Sequence, residues 1–342
     1  MLDGWRGLAA SAVVVQHIWA VQIGHSAVML FFVISGYCIT ASATSCMRRG
    51  LGFRQFMWRR LRRIYTPYLL AIAYFAATRL VKLRMTGIDE LDASPLVWLQ
   101  NLTSTQWLSL IPGHLAYASD NPVNLVPAYW SLQYEEQFYL IVAAMMVASA
   151  RFGRSLLWLG LPLIAASLVW DLVFPFVSRG LFIEYWLHFG VGLLVFYRLC
   201  RLEEARSRRA IDAFLVVLAL ASGWLAWLAG IDWTGRRPLA RELFIVAAFG
   251  LVLIAARSRD ARFGASLVGR LLTKLGLISY SLYLVHQCNV GLVRGVADRL
   301  VPAEWTFASG VVQLALHVAL AVPFYWLCER PFQNARLDEA QR

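Results

Sequence analysis

About ten stretches of this 342-residue chain are apolar over lengths that match the hydrocarbon core of a bilayer, and that pattern leaves few folds open. They lie at about 7–22, 26–44, 67–82, 129–150, 156–175, 181–199, 210–231, 241–257, 272–297 and 306–328. A helix crosses a core of roughly 30 Å with about 20 residues. Inside that core every backbone N–H and C=O must find a partner within the chain, which admits helices and closed barrels alone. The stretches are continuously apolar, not alternating, so they predict helices. With 59% hydrophobic and 15% charged residues the chain is too apolar for soluble domains. The expected fold is all-α, a polytopic membrane bundle of about ten transmembrane helices in a single unit over 1–333, with a short cytoplasmic tail at 334–342.

Charge sets the expected topology. The net charge of +12 would suggest nucleic acid as a partner in a soluble protein, but the basic residues are gathered in short connections between apolar stretches, and no nucleic-acid partner is expected. Arg48, Arg49, Arg54 and the Arg59–Arg63 group follow stretch two, Arg151 and Arg154 follow stretch four, and Arg198, Arg201, Arg206, Arg208 and Arg209 follow stretch six. Arg257, Arg259, Arg262, Arg270 and Lys274 follow stretch eight. Every second connection is therefore basic, which predicts a multi-pass protein with these connections and both termini in the cytoplasm. The opposite connections are poorer in charge, although Arg236, Arg237 and Arg241 form a local exception. The longest, about 83–128, carries Trp98, Trp107, Pro112, His114 and the polar run Ser119–Asn124, and is expected to cap the outer end of the bundle. Five widely spaced cysteines with no CxxC form neither a disulfide framework nor a zinc site, and no metal is expected. No cleavable signal peptide is expected, because no basic region precedes the first apolar stretch.

Within the first stretch stand Arg6 and His17, eleven residues apart. On a helix that is about three turns and ~16 Å, on one face at two depths. With Arg6 at a membrane surface, His17 falls near mid-depth, where an ionisable group is expensive and marks a functional site. A positioned imidazole takes a proton from a hydroxyl as it attacks a thioester, worth roughly 10²–10⁴-fold. Burial disfavours the imidazolium and keeps the ring available as a base. A carboxylate on the other ring nitrogen would fix the tautomer.

Six motifs follow in order along the chain. They are Leu2-Asp3-Gly4-Trp5-Arg6-Gly7-Leu8 leading to His17; Phe31-Phe32-Val33-Ile34-Ser35-Gly36-Tyr37; Arg59-Arg60-Leu61-Arg62-Arg63-Ile64-Tyr65; Trp130-Ser131-Leu132-Gln133-Tyr134-Glu135-Glu136-Gln137-Phe138-Tyr139; Ile278-Ser279-Tyr280-Ser281-Leu282-Tyr283-Leu284-Val285-His286; and Glu329-Arg330-Pro331-Phe332. This order resembles the acyltransferase 3 family, bacterial membrane proteins that O-acylate sugars of polysaccharides, lipopolysaccharides and secreted metabolites. The resemblance runs from residue 2 to about 333. It implies a ten-helix bundle in the bacterial cytoplasmic (inner) membrane, an acyl-coenzyme A donor reached from the cytoplasm, a catalytic His17 and a motif Arg6. Two departures stand out: Thr66 where many members have proline, and Met29 where some have Asp before the double Phe.

Glu135, which matches the glutamate of the family motif, is the expected partner of His17, with Ser131 one turn earlier on its face. Glu136 diverges from Glu135 by about 100° and is expected to meet an arginine or another helix. The Arg59–Arg63 cluster has two readings: Arg59, Arg60, Arg62 and Arg63, with Arg6, bind donor phosphates through forked hydrogen bonds, or they anchor to anionic lipid. Asp3 caps the first helix or pairs with Arg6. Ser35 with Gly36 permits close helix approach. Trp130, Tyr139, Tyr280 and His286 are candidate lining or supporting groups. Glu184 and His188 form a candidate buried pair, His317 and Asp171 are expected to be satisfied inside the bundle, and Glu329-Arg330-Pro331 reads as a stop with an internal ion pair.

The expected function is an integral-membrane O-acyltransferase that moves an acyl group, acetyl first among candidates, from acyl-coenzyme A to a sugar hydroxyl of a polysaccharide, lipid-linked glycan or secreted glycoside. Acyl-CoA is then a substrate and no cofactor is permanently bound; the partners are the glycan acceptor and membrane lipid. His17 either moves a proton or carries the acyl group for a time. The alternative is a transporter or flippase of acylated or lipid-linked sugars. Against it, the motifs concentrate in the first four stretches and do not repeat in two halves. No G-x-x-x-x-G-K-[ST] loop and no G-x-S-x-G elbow occurs.

Overall fold

The computed structural model describes residues 2–109, 124–173, 180–228 and 239–333. Most of the polar run Ser119–Asn124, with Pro112, His114, Arg179, Arg236, Arg237 and the tail 334–342, lies outside the described residues. The described chain folds into thirteen α-helices with short 3₁₀ turns, one π-helical turn (Tyr325–Glu329) and no strand: α1 (Leu2–Trp19), α2 (Gly24–Arg48), α3 (Phe53–Thr86), α4 (Pro95–Thr103), α5 (Trp130–Phe152), α6 (Leu156–Val173), α7 (Trp186–Cys200), α8 (Ala205–Leu228), α9 (Leu239–Ala256), α10 (Asp260–Ala265), α11 (Leu267–Leu277), α12 (Ser279–Leu300) and α13 (Thr306–Phe324). Nine of the ten apolar stretches each coincide with one helix, and the stretch 272–297 is divided between α11 and α12.

Six helical segments among the described residues are long and apolar enough to cross a membrane: Gly24–Arg48, Phe53–Thr86, Leu156–Val173, Ala205–Leu228, Leu239–Ala265 and Thr306–Phe332. A seventh is added if α11 and α12, which meet at 66°, count as one broken span. The others fall short for a physical reason. Asp3, Arg6, Gln16 and His17 interrupt α1, and Gln133, Glu135, Glu136 and Gln137 interrupt α5. The apolar α7 has only 15 residues, and Trp186 to Tyr197 are buried throughout. An apolar helix without a polar face belongs inside a bundle. The outer helix α8 turns Val217, Leu220, Trp224 and Trp227 outward, an exposure that suits lipid and not water. This is a multi-pass membrane protein.

Two pairs of glycines set the closest packing. A Cβ on Gly36 of α2 would stand 2.0 Å from the Phe189 carbonyl oxygen, and one on Gly192 of α7 would stand 2.0 Å from that of Val33. The helices α2 and α7 thus cross backbone to backbone, as small residues permit in membranes. The same holds for α1 and α11, where Gly7 faces the Leu272 carbonyl and Gly276 that of Asp3.

Three expectations change. The single span expected over 272–297 breaks at Ile278, and Ser279 begins a new helix. The first N–H groups of that helix lack partners within it, and the buried Glu329 carboxylate supplies one, accepting from Ser281 N at 3.1 Å and Ser281 Oγ at 2.5 Å. A carboxylate there also meets the positive end of the helix dipole. Glu329 is therefore a cap and not half of an ion pair with Arg330, whose guanidinium lies 4.0 Å over Trp326. Third, α3 begins at Phe53, so Arg59 to Arg63 lie within the helix and not before it.

Candidate active site

A cavity of about 110 Å³ opens between α1, α2, α3, α5 and α12. Its polar lining consists of Arg6, Ser35, Cys38, Arg60, Arg63, Ser131, Glu135, Tyr139, Ser279, Tyr280 and Tyr283. Helix geometry explains which residues of each motif reach it. On α3, Arg60, Arg63 and Ile64 share a face at i, i+3 and i+4, whereas Arg59 and Arg62 point off it and do not line the cavity. On α5, Ser131 and Glu135 share a face for the same reason. The adjacent Glu136 turns toward Tyr65, Tyr68 and Ser104 in a smaller space of about 20 Å³. Phe31 and Phe32 supply apolar wall.

Glu135 is held in place. Ser35 Oγ donates to its Oε1 at 2.8 Å, and Tyr139 Oη donates to the same oxygen at 2.5 Å. Three arginines and one carboxylate leave the cavity with a positive balance in an apolar bundle, which favours an anionic guest. Tyr280 donates to the Ile64 carbonyl at 2.9 Å, tying α12 to α3. Ser131 Oγ meets Tyr283 Oη at 2.8 Å, and Tyr283 in turn donates to the Ala128 carbonyl. Asp3, exposed in the first turn of α1, makes no ion pair with Arg6.

His17 is placed differently from the expectation. It lies in the last turn of α1, exposed, with no hydrogen bond to Glu135. Its neighbours come from α12: Gln287 Nε2 at 3.3 Å from its Nε2, and the His286 ring with centroids 5.2 Å apart. The physical reason is register. Glu135 is six residues into α5 and faces Ser35 near the middle of α2, whereas His17 ends α1. The Ala128 N–H donates to Gln287 Oε1 at 2.8 Å, which turns the Gln287 amide NH₂ toward His17, so His17 Nε2 is the acceptor. Thus His17 connects to the cavity through Gln287, the backbone N–H and C=O of Ala128, Tyr283 and Ser131. His286 is fully buried, with Nδ1 2.7 Å from the Tyr283 carbonyl oxygen. His317 and Asp171 are buried inside the bundle, but His317 Nδ1 has no hydrogen-bond partner among the described residues, so the expected satisfaction does not hold for it.

A second polar cluster was not anticipated. His25 Nε2 lies 2.6 Å from Glu242 Oε1, the Trp130 ring stacks on the His25 ring at 5.4 Å, and His188 Nε2 is 3.6 Å from Glu242 Oε2. The expected companion of His188, Glu184, accepts from Tyr134 Oη at 2.7 Å. The available signal was a glutamate at the head of an apolar stretch, Glu242, which is costly in a membrane unless paired. Its partner, more than two hundred residues away, cannot be read from local pattern.

The fold and cavity define the class: a multi-pass helical membrane protein with a positively charged, carboxylate-bearing pocket inside the bundle. A profile of an acyltransferase domain matches residues 1–329, and the chain belongs to the acyltransferase 3 family. BcsY of Komagataeibacter xylinus, provisionally named a membrane-bound transacylase, is 29% identical over 338 residues, covering 96% of this chain and 81% of that protein. The peptidoglycan O-acetyltransferase OatA of Listeria monocytogenes is 26% identical over 363 residues, covering 97% of this chain and 55% of that protein. The O-acetyltransferase OatA of Staphylococcus aureus is 30% identical over 145 residues, 41% of this chain and 23% of that protein. The chain therefore spans about half the length of the Listeria relative and aligns with less than a quarter of the staphylococcal one. No solved structure matches. The protein is a membrane acyltransferase.

Proposed function

We propose that the protein transfers an acyl group, acetyl first, from acyl-coenzyme A to a hydroxyl of a sugar on a polysaccharide, lipid-linked glycan or secreted glycoside. The observation that carries this reading is the cavity in which Arg6, Arg60 and Arg63 surround Glu135, joined by hydrogen bonds through α12 to His17. Phosphate groups of the donor are what a cluster of guanidinium groups would recognise, by charge-assisted forked bonds. In this reading that end of the bundle faces the cytoplasm of a bacterial inner membrane, with both termini on the same side, which the positive-inside pattern of the basic connections supports. In this topology the six apolar segments, the broken α11–α12 pair, the polar α1 and α5, and the short apolar α7 make ten crossings.

His17 then stands about 16 Å along α1 from Arg6, at the far end of the donor path. Its Nε2 lone pair faces Gln287 and can take a proton or the acyl group. O-acetyltransferases among the relatives favour acetyl as the group moved and a cell-wall glycan as the kind of acceptor. The test is product analysis. Surface glycans and secreted glycosides from cells with the gene, without it and with His17→Ala are compared by mass spectrometry. The expected result is an acyl mass increment present only with the intact gene. Glycans and glycosides that do not differ between the three strains would refute the reading.

A further inference from the structure

The carboxylate-backed histidine that the chemistry calls for exists in this fold, but it is built on His25. Four helix N-termini meet at the end of the bundle where α1 finishes, and each brings one residue: His25 on α2, Trp130 on α5, His188 on α7 and Glu242 on α9. Glu242 is 1% exposed and His25 33% exposed in their side chains. The positive ends of four helices favour the buried carboxylate, and the His25 Nε2–H donates to it at 2.6 Å. Trp130 covers one face of the imidazole. With Nε2 so engaged, the basic lone pair is on Nδ1, and among the described residues no group hydrogen-bonds that atom. The other histidines near the site differ. His188, 3.6 Å from the second oxygen of Glu242, is fully buried; His17 has an amide and a histidine for company; and His286 is fully buried with its Nδ1 on a carbonyl.

We infer that His25 and Glu242 form the acceptor-side site, in which His25 Nδ1 binds the acceptor hydroxyl and takes its proton during transfer. The inference rests on the acyl-transfer reading and deepens it. As the hydroxyl oxygen bonds to the acyl carbon, its proton passes to His25 Nδ1, and Glu242 steadies the imidazolium. The bond from the acyl carbon to the leaving atom breaks, and that atom keeps the electron pair. The leaving atom is the thioester sulfur, or His17 Nε2 where that ring carries the acyl group, and in either case it finally receives the proton. The place fits. Ser35, which touches Glu135 in the donor cavity, is ten residues further along α2, about 15 Å away. Between them stand Trp130 and Phe32, with ring centroids 6.2 Å apart, and Phe32 lines the donor cavity. The acceptor and donor sites thus share one aromatic wall.

The test uses full-length His25→Gln and Glu242→Gln in a strain lacking the gene, with the acyl content of surface glycan as one readout. Acetyl-CoA affinity of the purified variants in lipid discs is the other. The expected result for His25→Gln is a loss of at least tenfold in glycan acylation with acetyl-CoA affinity within threefold of wild type. Glu242 acts through His25 as a positioning residue. On the glycan that depends on the gene, Glu242→Gln is expected to lower kcat at least tenfold with acceptor KM within threefold. Acylation by His25→Gln at more than half the wild-type level would overturn the proposal alone. Loss of acetyl-CoA affinity together with acylation would also overturn it, since His25 would then support the fold. Failure of the wild-type gene to restore any acyl group would overturn the acyltransfer reading, and this proposal with it.

Discussion

Glu135 shows how much one position decides. Its carboxylate accepts from Ser35 and Tyr139 on one oxygen and shares a cavity with Arg6, Arg60 and Arg63. Removing its charge leaves three cations with no anion among them, so an anionic donor should bind a fewfold more tightly to Glu135→Gln. Transfer should fall all the same, by about tenfold or more, because a hydrogen bond to a charged group is worth roughly 1.5–3 kcal/mol and two converge here. Glu136→Gln, whose side chain faces Tyr65, Tyr68 and Ser104 instead, should stay within about threefold. Donor titration and transfer assays on both variants check the pair, and equal losses would show that the cavity is not where the carboxylate acts. The divergence of adjacent glutamates was legible in sequence, since 100° per residue separates them. The distance of Glu135 from His17 was not, because it depends on the relative heights of α1 and α5, which no local pattern encodes.

At the scale of elements, the same contrast separates what hydropathy reveals from what tertiary contact decides. All ten apolar stretches coincide with helices, and Ser35-Gly36 was recognisable as a close-approach site. Gly192, its counterpart on α7, sits in an apolar run with no mark of its own, and only the 2.0 Å approach to Val33 reveals its use. Gly192→Val must push two backbones apart, and overpacking of this kind costs about 1–3 kcal/mol. A lower midpoint in thermal unfolding of detergent-solubilised protein is expected, whereas Gly291→Ala, with open space around it inside α12, should not lower it. The break at Ile278 was hidden because apolar residues continue across it, while the group that stabilises the new helix start, Glu329, comes from the π-helical turn Tyr325–Glu329 that follows α13. Replacing Glu329 by Ala should cost about 1–2 kcal/mol, as loss of an N-terminal cap does. Hydrogen exchange at Ser281 should rise in that variant; protection equal to wild type would mean that the carboxylate is dispensable to the cap.

For the molecule as a whole, the arginines near the basic end have two duties that composition alone does not separate. Anchoring to anionic lipid depends on charge near the surface, about 1 kcal/mol per basic residue, and is indifferent to which way a side chain points. Donor binding depends on direction. Arg60 and Arg63 line the cavity with Glu135, and Arg59 on the same helix does not. Neutralising each in turn at fixed lipid composition therefore distinguishes the two. If the cluster only anchors, Arg59→Gln, Arg60→Gln and Arg63→Gln should be alike. If the cavity holds the donor, Arg60→Gln and Arg63→Gln should each raise the acyl-CoA dissociation constant by about 10–100-fold, the worth of one charge-assisted bond, while Arg59→Gln stays near wild type. Salt should weaken wild-type binding for the same reason, and weaken it less in either cavity variant, because fewer ion pairs remain to be screened. Three equal effects, or a salt response unchanged by Arg60→Gln and Arg63→Gln, would assign the arginines to the membrane and leave the cavity without a donor.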